Sequence, residues 1–354
     1  MRRLTPALFL LALLAGCAPT PDASAEPQSP GLADDTLSRA ARLELLLGTL
    51  ADDSMMGRRT GTPGAAMAAR FLASELERYG IQPAGEDGYF QAVPLARVER
   101  DGRPRLALPS ETLSFDTLPE GAVVEGEVNV VGVIPGTDPL LKQEAVILGA
   151  HFDHVGVGPA LAGDTIYNGA DDDGSGTVAV LEIARELVRT PPKRTVVVLL
   201  STGEEGGMLG SRWYLERPVH ALEGTVADLQ IEMIARPDSL AGGPGRAWLT
   251  GYERTTMGDQ LAAAGSPIVP DPRPDQRFFF RSDNIPFARR GIPAHTLSSY
   301  NLHADYHTPD DEVDRVDFAH MAAVVDAAVQ AVRFLADGAR PAWKEGGREG
   351  LEGR

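Results

Sequence analysis

Two stretches carry more consecutive apolar residues than a half-exposed strand would need. They are Ala145-Val-Ile-Leu148, which runs into Gly149, and Thr195-Val-Val-Val-Leu-Leu200. A strand that is apolar on both sides must be covered on both sides, which is the situation of a parallel sheet between helices. Asn129–Ile134, Val226–Ile234, Ala247–Thr250 and Pro293–Leu297 read as further strands, and 89–125 as mixed, turn-rich chain with edge strands. Helical spacing lies around them. Thr36–Leu50 forms a first helix, and Pro63-Gly64 opens a second with Ala68, Phe71, Leu72, Leu76 and Tyr79 on one face and Gly80 as its stop. A third carries Val180, Leu181, Ala184, Leu187 and Val188, and Met208–Leu215 makes a short one. Asp317 caps a long last helix with Met321, Val324, Val325, Ala328, Val332 and Leu335 inward, ended by Gly338. Strands alternating with helices predict an α/β fold, a three-layer sandwich with a central mixed, mostly parallel sheet flanked by helices. One domain over 35–338 is expected, followed by a frayed polar tail at 339–354.

Chemistry gathers where these strands end. His151 and Asp153 follow the first apolar run in Ala150-His-Phe-Asp-His154, and in open α/β sheets ligands bind beyond the carboxyl ends of the strands. His-x-Asp supplies an imidazole and a carboxylate able to orient its ring. Asn168-Gly-Ala-Asp-Asp-Asp-Gly-Ser-Gly176 offers a carboxylate to bridge two cations, with glycines that permit close backbone approach. Ser201-Thr-Gly-Glu-Glu-Gly206 pins two adjacent carboxylates to the edge of the sheet, which suits one general base and one ligand. Tyr306-His-Thr-Pro-Asp-Asp311 adds a histidine in a defined loop. A pocket this rich in carboxylates is costly to bury without cations. These residues predict a metal site, with two metals.

A net charge of −17 argues against nucleic-acid binding. The N-terminus reads as a targeting segment: Arg2-Arg3, an apolar run from Leu8 to Leu14, then Leu14-Ala-Gly-Cys17 in the form of a bacterial lipobox. Residues 1–16 are the expected signal peptide, with acylation at Cys17 and a polar tether over 17–34. Ala18 after the acylated cysteine favours the outer membrane, facing the periplasm. Removal of Arg2 and Arg3 leaves 31 basic against 50 acidic side chains, a net −19. Cys17 is the only cysteine, so the rest of the chain can form no internal disulfide. No other apolar run is expected to span a bilayer.

From about residue 38 to 337, the order of these fragments resembles the co-catalytic di-zinc aminopeptidase family, which also includes glutamate carboxypeptidase II, the transferrin receptor and glutaminyl cyclases. The likeness includes Gly57-Arg…Thr60-Gly-Thr-Pro-Gly64 and Arg281-Ser-Asp283…Pro286-Phe287…Gly291-Ile-Pro293. The resemblance implies two zinc ions, one held by His151 and Glu232, the other by Glu205 and His307. Asp171 would bridge them and be followed by a cis peptide to Asp172. Glu204 is implied as general base, Tyr306 as a hydrogen-bond donor to the tetrahedral intermediate, and Asp153 as the partner of His151. The loop of Arg281 would help receive the free amine of a peptide substrate. The implied reaction is removal of N-terminal residues from peptides, with membrane attachment through the N-terminal lipid only.

Glu232 stands where the family usually has Asp, and Asn284 where it usually has His. There is no room between Glu125 and Ala145 for a protease-associated insert. Two alternatives stay open on the same scaffold: a single-zinc acyltransferase of the glutaminyl-cyclase kind, and a carboxypeptidase or dipeptidase. A non-catalytic module is disfavoured because all five ligand positions are filled.

Overall fold

In the computed structural model, which describes residues 36–110 and 112–352, the apolar runs form the middle of a nine-stranded mixed sheet. Its strands are β1 (Gln82–Pro83), β2 (Phe90–Ala92), β6 (Val128–Ile134), β7 (Ala145–His151), β10 (Thr195–Ser201), β11 (Thr225–Ile231), β12 (Ala247–Leu249), β13 (Ile268–Pro270) and β14 (Ala294–Ser298). The order is β1-β6-β10-β7-β11-β14-β12-β13, with β2 also on β6. The four central strands, β10, β7, β11 and β14, run parallel. Every residue of β7, β10 and β11 is buried, which explains why these strands show no alternation in sequence. Two small sheets stand apart: β3 (Leu95–Arg100) between β4 (Arg103–Ala107) and β5 (Val123–Val124), and the hairpin of β8 (Gly156–Leu161) with β9 (Asp164–Tyr167).

One face of the sheet, through Val146, Leu148, Val196 and Val198, packs on α1 (Arg39–Leu50), α2 (Pro63–Arg78), α3 (Gly176–Arg189) and α7 (Phe318–Asp337). Each buried aliphatic side chain there contributes about 1.5–3 kcal/mol. A bidentate ion pair, Arg42 to Glu182, fastens α1 to α3 inside this layer. By length and composition α7 could cross a bilayer, contrary to the sequence expectation; here it is a core helix, with Met321, Val324, Val325, Val332 and Leu335 buried. The other face, through Ile147, Val197 and Leu199, packs on α4 (Leu209–Glu216) and α6 (Asn284–Arg289). The short α5 (Met257–Ala263) sends Met257 and Leu261 into the first layer.

The C-terminal segment corrects a sequence expectation. It does not fray: Leu351 is buried in the second layer, Trp343 packs beside it, and the Trp343 indole donates to the Gly291 carbonyl at 2.8 Å. The Thr256 amide donates to the Ala342 carbonyl at 2.8 Å and the Lys344 amide to the Arg254 carbonyl at 2.9 Å. Its polar composition hid two anchors at wide spacing. Residues 1–35, including the lipobox and tether, lie outside the described residues.

Candidate metal centre

The central strands point their carboxyl ends at one place. β7 ends in His151, β10 runs into the loop of Glu204 and Glu205, and β11 ends one residue before Glu232. The loop ahead of α3 brings in the three aspartates. Gly176 lets that helix start against the sheet, since a Cβ there would lie 2.1 Å from the Ile231 carbonyl oxygen. Among the described residues, two groups of ligand-type side chains result: His151, Asp172 and Glu232; and His154, Asp172, Glu205 and His307.

Asp172 belongs to both groups. Its Oδ1 lies 3.5 Å from His151 Nε2, and its Oδ2 lies 2.9 Å from His307 Nε2 and 3.8 Å from His154 Nδ1. Asp172, rather than the expected Asp171, therefore lies between the two groups. Asp171, expected between the metals, joins neither group: its Oδ1 accepts from the Ala235 amide at 2.9 Å and from the Ser175 hydroxyl at 3.1 Å, and its Oδ2 is 2.9 Å from His303 Nε2. The cis peptide correspondingly joins Asp172 to Asp173 rather than Asp171 to Asp172. Asp311 holds the triplet in place, accepting the amides of both Asp171 and Asp172 at 3.0 Å.

His151 Nδ1 faces Asp153, 3.1 Å from its carbonyl oxygen and 3.7 Å from Oδ1, leaving Nε2 aimed at Asp172. Asp153 is itself fixed by the Thr60 hydroxyl at 2.9 Å and the Glu204 amide at 3.1 Å. Glu205 Oε1 lies 3.0 Å from His307 Nε2 and 3.1 Å from His154 Nδ1. Tyr306 stacks on the His307 ring, with centroids 3.9 Å apart. Asn284 plays a framework part, donating to the Phe279 carbonyl and accepting from the Thr296 hydroxyl, both at 3.0 Å.

Burial sets the electrostatics. It raises the Glu204 carboxyl well above its ordinary value against the pull of His151, with Glu232, Asp283 and Glu205 pushing the same way as burial. Burial likewise lifts Glu232 to about 7, opposed by His151. For Glu205 the burial effect is overcome by the neighbouring imidazoles of His154 and His307, which hold it below the usual carboxylate range. His151 is opposed by burial, yet Asp153, Glu204, Asp173 and Asp172 raise it well above an ordinary histidine.

The donor set fits metal ions. Among buried polar atoms, His151 Nε2, both ring nitrogens of His154, Asp173 Oδ2 and Glu205 Oε1 have no hydrogen-bond partner. Nitrogen and carboxylate donors left unpaired in this way, around a shared carboxylate, match zinc coordination chemistry.

Arg58 was singled out in sequence only as part of a loop. It is fully buried, and its guanidinium donates to the carbonyls of Leu50, Phe152, Asn168 and Gly169. It thus joins the end of α1, the His151 loop and the aspartate loop. Desolvation lowers its pKa to about 10, with Asp311 and Asp153 opposing.

A cavity opens on the cluster. Asp172, Glu204, Glu205 and Glu232 line it alongside Trp248, Phe278, Tyr300 and Tyr306. Arg281 also lines it, its guanidinium 5.0 Å from the Phe278 ring centroid. A broader groove lies beyond His154 and His307, bordered by Arg59, Thr60, Arg105 and Leu106.

A parallel-centred sheet with a carboxylate- and histidine-lined site at its strand ends is the architecture of the zinc exopeptidases. BSAP, a zinc aminopeptidase from Bacillus subtilis, has this fold with a TM-score of 0.61 at 15% identity, over 84% of this chain and 96% of that one. An aminopeptidase from Aneurinibacillus gives 0.61 at 17%, over 85% and 95%. The sequence pattern of Peptidase family M28 matches residues 129–332, more than half of the chain, and the protein belongs to that family. Curated relatives include a probable lipoprotein aminopeptidase LpqL of Mycobacterium tuberculosis, 33% identical over 290 residues, which are 75% of this chain and 48% of that protein. Another is a probable leucine aminopeptidase 2 of Aspergillus fumigatus, 33% identical over 172 residues, 47% of this chain and 32% of that protein. The chain thus spans about a third to a half of these relatives.

Proposed function

We propose that the protein is a zinc-dependent aminopeptidase that removes N-terminal residues from peptides with two metal ions. The observation that carries the reading is Asp172, whose two carboxylate oxygens face different histidines across one cavity. His151, Asp172 and Glu232 would hold one zinc, and Asp172, Glu205 and His307 the other. Zinc bound there supplies Lewis acidity, lowering the pKa of water and stabilising negative charge. Glu204, neither a member of the two ligand groups nor far from them, takes the proton of the attacking water and returns it to the leaving amine. Its raised pKa favours holding that proton between the two transfers. Tyr306, held by its stack on His307, donates a hydrogen bond to the substrate carbonyl oxygen as that oxygen gains charge. Asp153 keeps the His151 ring oriented.

The cavity takes the first residue, with an apolar side chain against Trp248, Phe278 and Tyr300 and the amine, a cation, beside the carboxylates. The rest of the peptide leaves through the groove of Arg59 and Arg105. Zinc-loaded protein is expected to cleave free peptides and to leave their N-acetylated forms intact. Cleavage of the blocked forms at the C-terminus would instead support a carboxypeptidase, with Arg281 receiving the carboxylate. Uptake of one zinc per chain would support the cyclase-like reading.

A lipid anchor at Cys17 in the bacterial envelope, probed at the outer membrane, rests on Leu14-Ala-Gly-Cys17 and on the lipoprotein name of the mycobacterial relative. Cys17→Ser is expected to move the protein from the membrane fraction to the soluble one and to abolish incorporation of a fatty-acid analogue. Unchanged labelling would remove the anchor.

A further inference from the structure

His154 follows His151 and its partner Asp153 in Ala150-His-Phe-Asp-His154 and has no role in the mechanism proposed above. Its side chain is fully buried, yet neither ring nitrogen has a hydrogen-bond partner. A buried imidazole without partners is costly. Nδ1 does come close to two carboxylates, 3.1 Å from Glu205 Oε1 and 3.8 Å from Asp172 Oδ2. The 3.1 Å approach is not in hydrogen-bond geometry, so both atoms are left without a partner. His307 Nε2 meets the same carboxylates at 3.0 and 2.9 Å, and the two imidazoles stand edge to face at 5.3 Å. The backbone is shaped around the ring: Gly169, at φ +56°, is the position where a Cβ would come within 2.5 Å of His154 Cγ and Cδ2.

We infer that His154 is a fourth protein ligand, closing the metal position of Asp172, Glu205 and His307. Four nitrogen and oxygen donors fill a zinc tetrahedron, while three leave a place for water. The two positions are therefore unequal. The position of His151, Asp172 and Glu232 would offer three protein donors, and the other, with His154, would offer four. This inference rests on the two-metal reading and adds a donor to it.

The test is metal binding rather than turnover. Zinc is titrated in chelator-buffered solution into the wild-type chain, His154→Ala and His154→Asn, with circular dichroism of the metal-free forms to check folding. The wild type is expected to bind two ions. The variants are expected to bind one ion unchanged and the other at least about 10-fold more weakly, beyond which lies the full cost of losing a ligand. Independently of any variant, X-ray absorption of the wild type with two zinc ions should count three imidazoles shared between them, against two without His154. Two ions bound equally well in folded variants, or two imidazoles in the wild type, overturns the inference and leaves the two-metal reading standing. A wild-type chain that takes up only one zinc overturns that reading, and this inference with it.

Discussion

Glu204→Gln is expected to lower kcat by about 10²–10⁴-fold, the range for removal of a general acid–base, with KM little changed and both zinc ions retained. The substitution keeps the side chain's size and leaves untouched the amide that holds Asp153. What it removes is the carboxylate that accepts a proton. Glu205→Gln, one residue on, is expected to fail differently. Glu205 approaches His307 and His154 within 3.1 Å, and loss of its charge should weaken metal binding, with activity partly restored at high zinc. Zinc content and kcat measured side by side decide the assignment. Loss of metal in Glu204→Gln, with retention in Glu205→Gln, would reverse the two roles. Small effects from both would make the pair a mere framework element.

The second large effect is expected at Asp172. Asp172→Asn puts a neutral amide between the two groups of donors, and both zinc sites should weaken together. Activity should fall by more than the roughly 10–100-fold that follows loss of an outer partner of a metal ligand. Asp171→Asn is the matched control. An Asn there can still accept from the Ala235 amide and face His303, so metal content should stay at two with turnover reduced far less. Equilibrium dialysis with zinc, followed by peptide turnover, separates the two. Metal loss in Asp171→Asn with retention in Asp172→Asn would return the bridge to the position expected from sequence.

The fold class could be read from the chain because β7 and β10 are buried on both sides, and burial of that kind writes itself as continuous apolar sequence. The helices α1 to α4 and α7 were legible from their spacing and stops, whereas the short α5 and α6 were not. The C-terminal segment was not, because Trp343 and Leu351 are single anchors without a period. At the site, His151, Glu205, Glu232 and His307 do come together in space. In the aspartate triplet the structure brings Asp172, not the expected Asp171, between the two groups, and three identical side chains carry no internal register in sequence. The backbone resolves it: Asp311 fixes the amides of Asp171 and Asp172, and Ser175 and Ala235 claim the Asp171 carboxylate. His154 was passed over because a second histidine beside an expected ligand has no periodic signature, and Arg58 because its partners are carbonyls more than ninety residues away or at a helix end.

Arg58 bears on how little of this chain could be excised as a working unit. The family pattern begins at residue 129, yet one buried guanidinium from the N-terminal loop ties down the carbonyls of Phe152, Asn168 and Gly169, and Thr60 beside it fixes Asp153. The ligand loops are therefore braced by a part of the chain that supplies none of the ligands. A graft or a minimised domain cut to the family pattern would carry every donor and lack the brace that sets their spacing. A transferable version of this centre is expected to need Arg58 and Thr60 as well as the strands and loops that follow them.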